Sequence, residues 1–297
     1  MNHLAGTCTA NGQRSPRAAA QRFVQPLAAR VGLASLLRAT TALVIFCIAA
    51  SVGGAAELTR DELEALLAGT SGAAPADLAE RDLSGLDLSG LDFKSANLQG
   101  ANLAGAVLTG ANLQGVVLKG ADLHGADLTG ANLDVAILRG ANLEGAVLRE
   151  VSAFSTVLAE SNLRGADLSG ARLICNLDGA DLTGALLDGA EMAADMRNQP
   201  MGLMRVSLRK AKLAGASLRG ADLSRGMLEF ADFRGADLAG ANLMRAEAAG
   251  ADFTGADMTG VNLRKADIQS ARFIGIKGRD SLIDLDTTVN RGSAKFE

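Results

Sequence analysis

The chain has 297 residues, 48% of them hydrophobic but only 3% aromatic, with 35 glycines, no Trp, no Tyr and a formal net charge of −4. Its two histidines, one of them His3, cannot build a catalytic triad or a His-rich metal site. The mild acidity argues against nucleic acid or an anionic lipid surface as a partner, and length alone would suggest two domains.

Residues 1–56 differ in kind from the rest. They contain Arg14, Arg17, Arg22, Arg30 and Arg38 and no Asp or Glu, then the apolar run Ala42–Ala50 and the small residues Ser51 to Ala56. A basic region, a short hydrophobic core and a small-residue exit read as a secretory signal peptide cut near Ala55 or Ala56. Cleavage leaves 24 Lys and Arg against 33 Asp and Glu, a net charge of −9, in a periplasmic or otherwise exported chain. An uncleaved membrane anchor is the alternative, because Ala39 to Ala56 is just long enough to span a bilayer. The long acid-free leader also fits a bipartite peptide directed to the thylakoid lumen. Only Cys175 survives cleavage, so the mature chain has no intramolecular disulfide.

Residues 57–75 read as a capping helix and linker. Thr59 and Glu62 have capping-box spacing, Leu63, Leu66 and Leu67 share a face, and Gly69 and Pro75 end the segment. The helix is expected to plug the first turn of the repeat that follows.

From residue 76 to 275 the sequence repeats every five residues as Ala-(Asp/Asn)-Leu-x-Gly, for example Ala101-Asn102-Leu103-Ala104-Gly105. All fourteen central positions from Leu83 to Leu148 are Leu or Phe, and ten of the eleven residues two places before them, Ala96 to Ala146, are Ala. Neither a 3.6-residue nor a two-residue period accommodates this pattern, so each unit must bury its apolar side against the next coil. Phe233, Phe253 and Phe273 stand twenty residues apart, the spacing of an aromatic stack. These residues resemble the pentapeptide-repeat family over about two thirds of the chain. The resemblance implies an all-β fold, a right-handed quadrilateral β-helix (a pentapeptide-repeat solenoid) with four units per coil. It implies no catalytic activity and no cofactor, and it includes gyrase inhibitors that mimic DNA.

The period breaks once. Centres slip back by one at Leu177 and return to phase at Leu208, with Pro200 and four methionines (Met192, Met196, Met201, Met204) in or beside the segment 193–205. A protruding loop is expected there. Asp195, Met196, Arg197, Met201, Met204 and Arg205 form a candidate interaction loop, since loops on rigid scaffolds carry function. The methionines raise Cu(I) binding as an alternative to packing at an irregular coil. A second candidate is an apolar wall of Val117, Ile137 and Val157, weighed against the general suitability of β-branched residues for strands. Residues 276–297 leave the period and form a C-terminal cap or tail, with Ala294-Lys295-Phe296 as a last stray unit and a homodimer through that end kept open.

These features point to a non-catalytic exported scaffold for protein–protein interaction, with an unidentified protein partner. The alternative is a cytoplasmic DNA mimic that binds gyrase. Lys119, Arg139, Arg149 and Arg164 stand against it by interrupting any acidic stripe.

Overall fold

A unit of five residues turns the chain after every fifth residue, and its hydrogen bonds show why the composition is so restricted. In Ala101–Gly105, the Ala101 N–H donates to the Leu98 carbonyl at 3.1 Å, closing the turn behind it. Asn102 N–H reaches back one coil to the Arg81 carbonyl (2.9 Å), and Leu103 N–H forward one coil to the Asp122 carbonyl (2.6 Å). Gly105 N–H bonds the His124 carbonyl at 2.9 Å. The remaining donor, Ala104 N–H, is taken by the side-chain Oδ1 of Asn102 at 3.1 Å. All five donors are satisfied, and the Asp or Asn preference follows from the last of these bonds.

The computed structural model describes residues 58–70, 75–93, 95–194 and 204–297. They fall within one compact unit, Gly54–Glu297. The signal peptide or anchor expected over residues 1–56 lies outside the described residues. Among the described residues no helix is long and apolar enough to cross a membrane.

The expectation of an all-β, quadrilateral β-helix is corrected. Among the described residues there are one α-helix and three short 3-10 helices, but no β-strand and no sheet. Coils are joined instead by isolated parallel bridges such as Asp82↔Asn102↔Asp122↔Asn142. The reason lies in the unit itself: two of its five residues form the turn, so a single residue per unit meets its partner in the next coil. A strand needs consecutive paired residues, and this period never supplies them.

What stacks inward is a column of leucines beside a column of alanines. Leu83, Leu103, Leu123 and Leu143 and their partners Ala101, Ala121 and Ala141 are fully buried. Phe233, Phe253 and Phe273 stack at 5.0 and 4.9 Å between ring centroids, and Phe296 continues the pile at 5.0 Å from Phe273. Volume is conserved locally: Val206 occupies a place usually held by Ala, and the next coil has Gly226, where a Cβ would come within 3.0 Å of Val206 Cγ1. Interiors packed at crystal density tolerate a large residue only when a neighbour shrinks.

Both ends are closed by distinct devices. Helix α1 (Arg60–Ala68) has a complete capping box between Thr59 and Glu62. It buries Leu63 and Leu67, while Leu66 is 38% exposed rather than sharing their face. Arg60 fastens α1 to the first coil through the Asp87 carbonyl (2.9 Å), the Asp87 carboxylate (3.2 Å) and the Ser89 carbonyl (3.0 Å). At the other end the bridges Asn262↔Ile283, Asp267↔Val289 and Arg272↔Lys295 widen by one residue at each step. Each unit of this last coil has six residues and a 3-10 turn, at Arg279–Ser281, Leu285–Thr287 and Arg291–Ser293. The Ser281, Thr287 and Ser293 hydroxyls accept the N–H groups of Gly260, Lys265 and Ser270, each at 3.0 Å, in place of a further coil's carbonyls.

Candidate interaction surfaces

The break in the repeat is a local repair of register. Asn176 bridges Val157 nineteen residues back and Ser207 thirty-one residues ahead, so one corner is short by a residue and the next is long by eleven. At the short corner Cys175 takes the inward place of an alanine; burial pushes its thiol up to about 12 and leaves it unreactive. Of the candidate loop, Asp195, Met196, Arg197 and Met201 lie outside the described residues. Met204 and Arg205 line an open cavity of about 300 Å³ with Val157, Cys175, Asp178 and Met227. Arg205 is held by the molecule itself, donating to Glu247 Oε1 at 2.7 Å and to the Arg225 carbonyl at 3.2 Å. Met192 is a buried core residue. Among the described residues no group of His, Cys, Asp and Glu side chains is placed to hold a metal ion.

Val117, Ile137 and Val157 occupy consecutive bridges of one wall, and Ile137 is 40% exposed. Beside them Val135, absent from the sequence candidates, sits at a corner with φ 56° and is 47% exposed. Its signal was available in the sequence: a β-branched residue stands where the unit normally ends in Gly. Two places beyond the wall, Lys119 and Arg139 line a groove of about 500 Å³ floored by Gly100, Gly120 and Gly140. Glu80 and Glu160 also line it. Glu160 binds Arg139 at 2.6 Å, and the Glu80 carboxylate lies so close over Gly100 that a Cβ there would sit 2.2 Å from Oε1.

Charge is divided along the chain. Between Glu57 and Val135 there are 12 acids and four bases (Arg60, Arg81, Lys94, Lys119), whereas from Ala136 to Glu297 there are 21 acids and 20 bases. The bridged positions of the first coil are Asp77, Asp82, Asp87 and Asp92, one on each wall. Asn97, Asn102 and Asn112 in the next coil donate their side-chain N–H to Asp77, Asp82 and Asp92 at 2.9, 3.0 and 3.0 Å. A first coil needs only acceptors, which Asp supplies. The bases that interrupt the walls further on are paired: Arg139 with Glu160, Arg149 with Asp167 at 2.6 Å, and Arg164 with Asp181 at 3.5 Å.

A family profile described as pentapeptide repeats matches the chain in eight copies, over residues 76–110, 96–134, 126–153, 136–173, 203–240 and 241–277. The chain belongs to the pentapeptide-repeat family. As a member of that family this pentapeptide-repeat protein is not an enzyme. No curated protein matches it. Among solved structures it is similar to HetL, a pentapeptide repeat protein of Nostoc involved in heterocyst differentiation regulation. The two are 31% identical over 80% of this chain and 95% of that one, with a TM-score of 0.37. It is also similar to QnrB1, a plasmid-mediated fluoroquinolone resistance protein, at 19% identity over 73% of this chain and 94% of that one, with a TM-score of 0.45. A third likeness is to a pentapeptide repeat protein of the Arabidopsis thaliana thylakoid lumen, 34% identical over 40% of this chain and 71% of that one, with a TM-score of 0.16. A location outside the cytoplasm therefore occurs among the chains that this pentapeptide-repeat protein resembles. The reading as an exported interaction scaffold is corrected: the similar structures that span most of the chain are a differentiation regulator and a fluoroquinolone resistance protein.

Proposed function

We propose that this protein is a non-catalytic DNA mimic that binds gyrase through its acid-rich N-terminal end. The observation that carries this reading is the segregation of charge. From Glu57 to Ser95, α1 and the first coil hold nine acids and three bases, a net charge of −6. Coils spaced like paired strands, about 4.8 Å apart, compress that charge into a short length. The resulting density approaches that of duplex DNA, which carries one charge per about 1.7 Å of axis. A surface of this kind steers a basic, DNA-binding groove toward it and loses that advantage as salt screens the attraction. The bases set against mimicry, Lys119, Arg139, Arg149 and Arg164, all lie beyond this end, and the three arginines have carboxylate partners.

The test is a gyrase supercoiling assay with the purified chain. Inhibition is expected at low salt and is expected to weaken at least tenfold when Asp77, Asp82, Asp87 and Asp92 are all changed to Asn. That substitution removes four charges but keeps each side-chain oxygen as an acceptor. Inhibition indifferent to the four substitutions, or none at all, would defeat the reading. Location bears on it as well. Cleavage near Ala55 or Ala56 with the product in the periplasm, read by fractionation and intact mass, would separate the chain from gyrase and defeat the proposal too.

A further inference from the structure

Three successive coils place a cation at the same corner. Arg225, Arg245 and Lys265 end their units with φ of 61°, 57° and 56°, in the left-handed region where most other units have Gly. The corner runs between the walls bridged through Asp222↔Asn242↔Asn262 and through Met227↔Glu247↔Asp267, so the three side chains emerge one coil apart in a straight row. Arg245 and Lys265 are exposed and Arg225 is half-buried. Arg205 precedes them in the column but is engaged by Glu247.

Each of these residues is unfavourable twice over. A side chain in the left-handed region brings Cβ against the backbone, which Gly avoids. Three like charges carried on corners about 5 Å apart repel one another as well. Among the described residues none of the three pairs with a carboxylate. The nearest acids are otherwise engaged: Asp222 accepts from Ser224 N–H and Asn242, Glu247 from Arg205, and Asp267 from Gln269 N–H and Asn290. No ion pair among the described residues offsets this cost, and strain of this kind concentrates at functional sites.

We propose that the ridge Arg225–Arg245–Lys265 binds the phosphodiester backbone of a single nucleic-acid strand. A linear row of cations at even spacing matches a linear row of phosphates better than it matches one clustered anion. The described residues put no aromatic ring on this corner, so the ridge contacts backbone and not bases, and binding is independent of sequence. This departs from the expectation set by net charge, which averages an acid-rich end with a basic ridge. It is also separate from gyrase binding, because the ridge lies coils away in sequence from Glu57–Ser95.

The experiment measures fluorescence anisotropy of a labelled 20-nucleotide poly-dT strand with the full chain at several salt concentrations. The comparison is with R225G/R245G/K265G. The parent is expected to bind in the 10⁻⁴ to 10⁻⁶ M range typical of non-specific contacts. The glycine variant is expected to lose at least tenfold in affinity and to flatten the log–log salt slope by about 2, the share of three phosphate contacts on a single strand. Its Tm is expected to rise, since Gly is the residue this corner prefers. R225K/R245K/K265R, which keeps all three charges, is expected to bind like the parent. Unchanged binding by the glycine variant would overturn the proposal. So would preferential binding of inorganic polyphosphate over the oligonucleotide, which would assign the ridge to that polymer instead.

Discussion

The Asp or Asn before each central leucine acts as a turn-closing acceptor, and its strength depends on the residue two places on. Where that residue is Ser or Thr the carboxylate gains two donors: Asp127 Oδ1 accepts the Thr129 hydroxyl at 2.6 Å and its N–H at 2.9 Å. Asp82, Asp87, Asp127 and Asp257 are accordingly held below the ordinary carboxylate range, first by the hydroxyls of Ser84, Ser89, Thr129 and Thr259 and then by their N–H groups. A depressed folded pKa adds stability that is complete above the unfolded value, about 3.9 for Asp, and is lost as pH falls through the folded values. Tm followed from pH 6 to pH 2 is therefore expected to hold until about pH 4 and then drop. A variant with all four residues changed to Asn keeps the acceptors without the titration, and should fall less steeply; identical slopes would remove these carboxylates from the account. Val135 offers a second residue-scale test. It is β-branched, exposed and left-handed, so Val135→Gly is expected to raise stability by about 1 kcal/mol in chemical denaturation, against the usual direction for substitutions to Gly.

Elements at the two ends differ in how much of them could be read. Thr59 and Glu62 announce α1 by their spacing, and the capping box is present as read. The burial of Leu63 and Leu67 follows that reading, whereas the exposure of Leu66 was not legible, because it depends on where Arg60 anchors the helix to Asp87 and Ser89. Leu63→Ala is expected to destabilise by about 2–5 kcal/mol, since this fully buried side chain closes the first coil. The last coil was hidden for another reason. Its units are six residues long, so a search in steps of five passes through Ser281, Thr287 and Ser293 without seeing that they recur. Changing these three to Ala removes the acceptors of Gly260, Lys265 and Ser270 N–H. At an edge open to water the loss is expected to be about 1 kcal/mol for each, read as a lower Tm. The inward Leu and Ala columns were legible because burial imposes the strict period itself. The absence of strands was not, since a period says which residues stack but not how many of them pair. The candidate wall was legible as a row of β-branched residues, and the Arg225–Arg245–Lys265 ridge carried a signal too, cations twenty residues apart in the place of Gly, to which the structure adds a left-handed φ at each.

For the whole molecule the informative question is whether the break divides the stack or merely decorates it. Bridges cross it on all four walls, through Asn176↔Ser207, Asp181↔Lys212, Leu186↔Ser217 and Glu191↔Asp222, each spanning thirty-one residues instead of twenty. Deleting the eleven residues Ala194–Met204 restores the regular interval and makes Arg205 the corner residue between Ala193 and Val206. If the segment is an insertion into a continuous stack, this deletion leaves the coils above and below in contact, and the shorter loop reduces closure entropy slightly. Tm is then expected to stay level or rise. Cys175 reports the same thing locally, because its thiol, pushed up to about 12 by burial, is protected only while the coils on either side remain closed. In the deletion variant alkylation of Cys175 at pH 8, located by peptide mass, is expected to remain as slow as in the parent. Rapid alkylation with two separate unfolding transitions would mean that the segment holds two half-stacks together, and residues 204 and 205 would then be part of a structural joint rather than the base of a recognition loop.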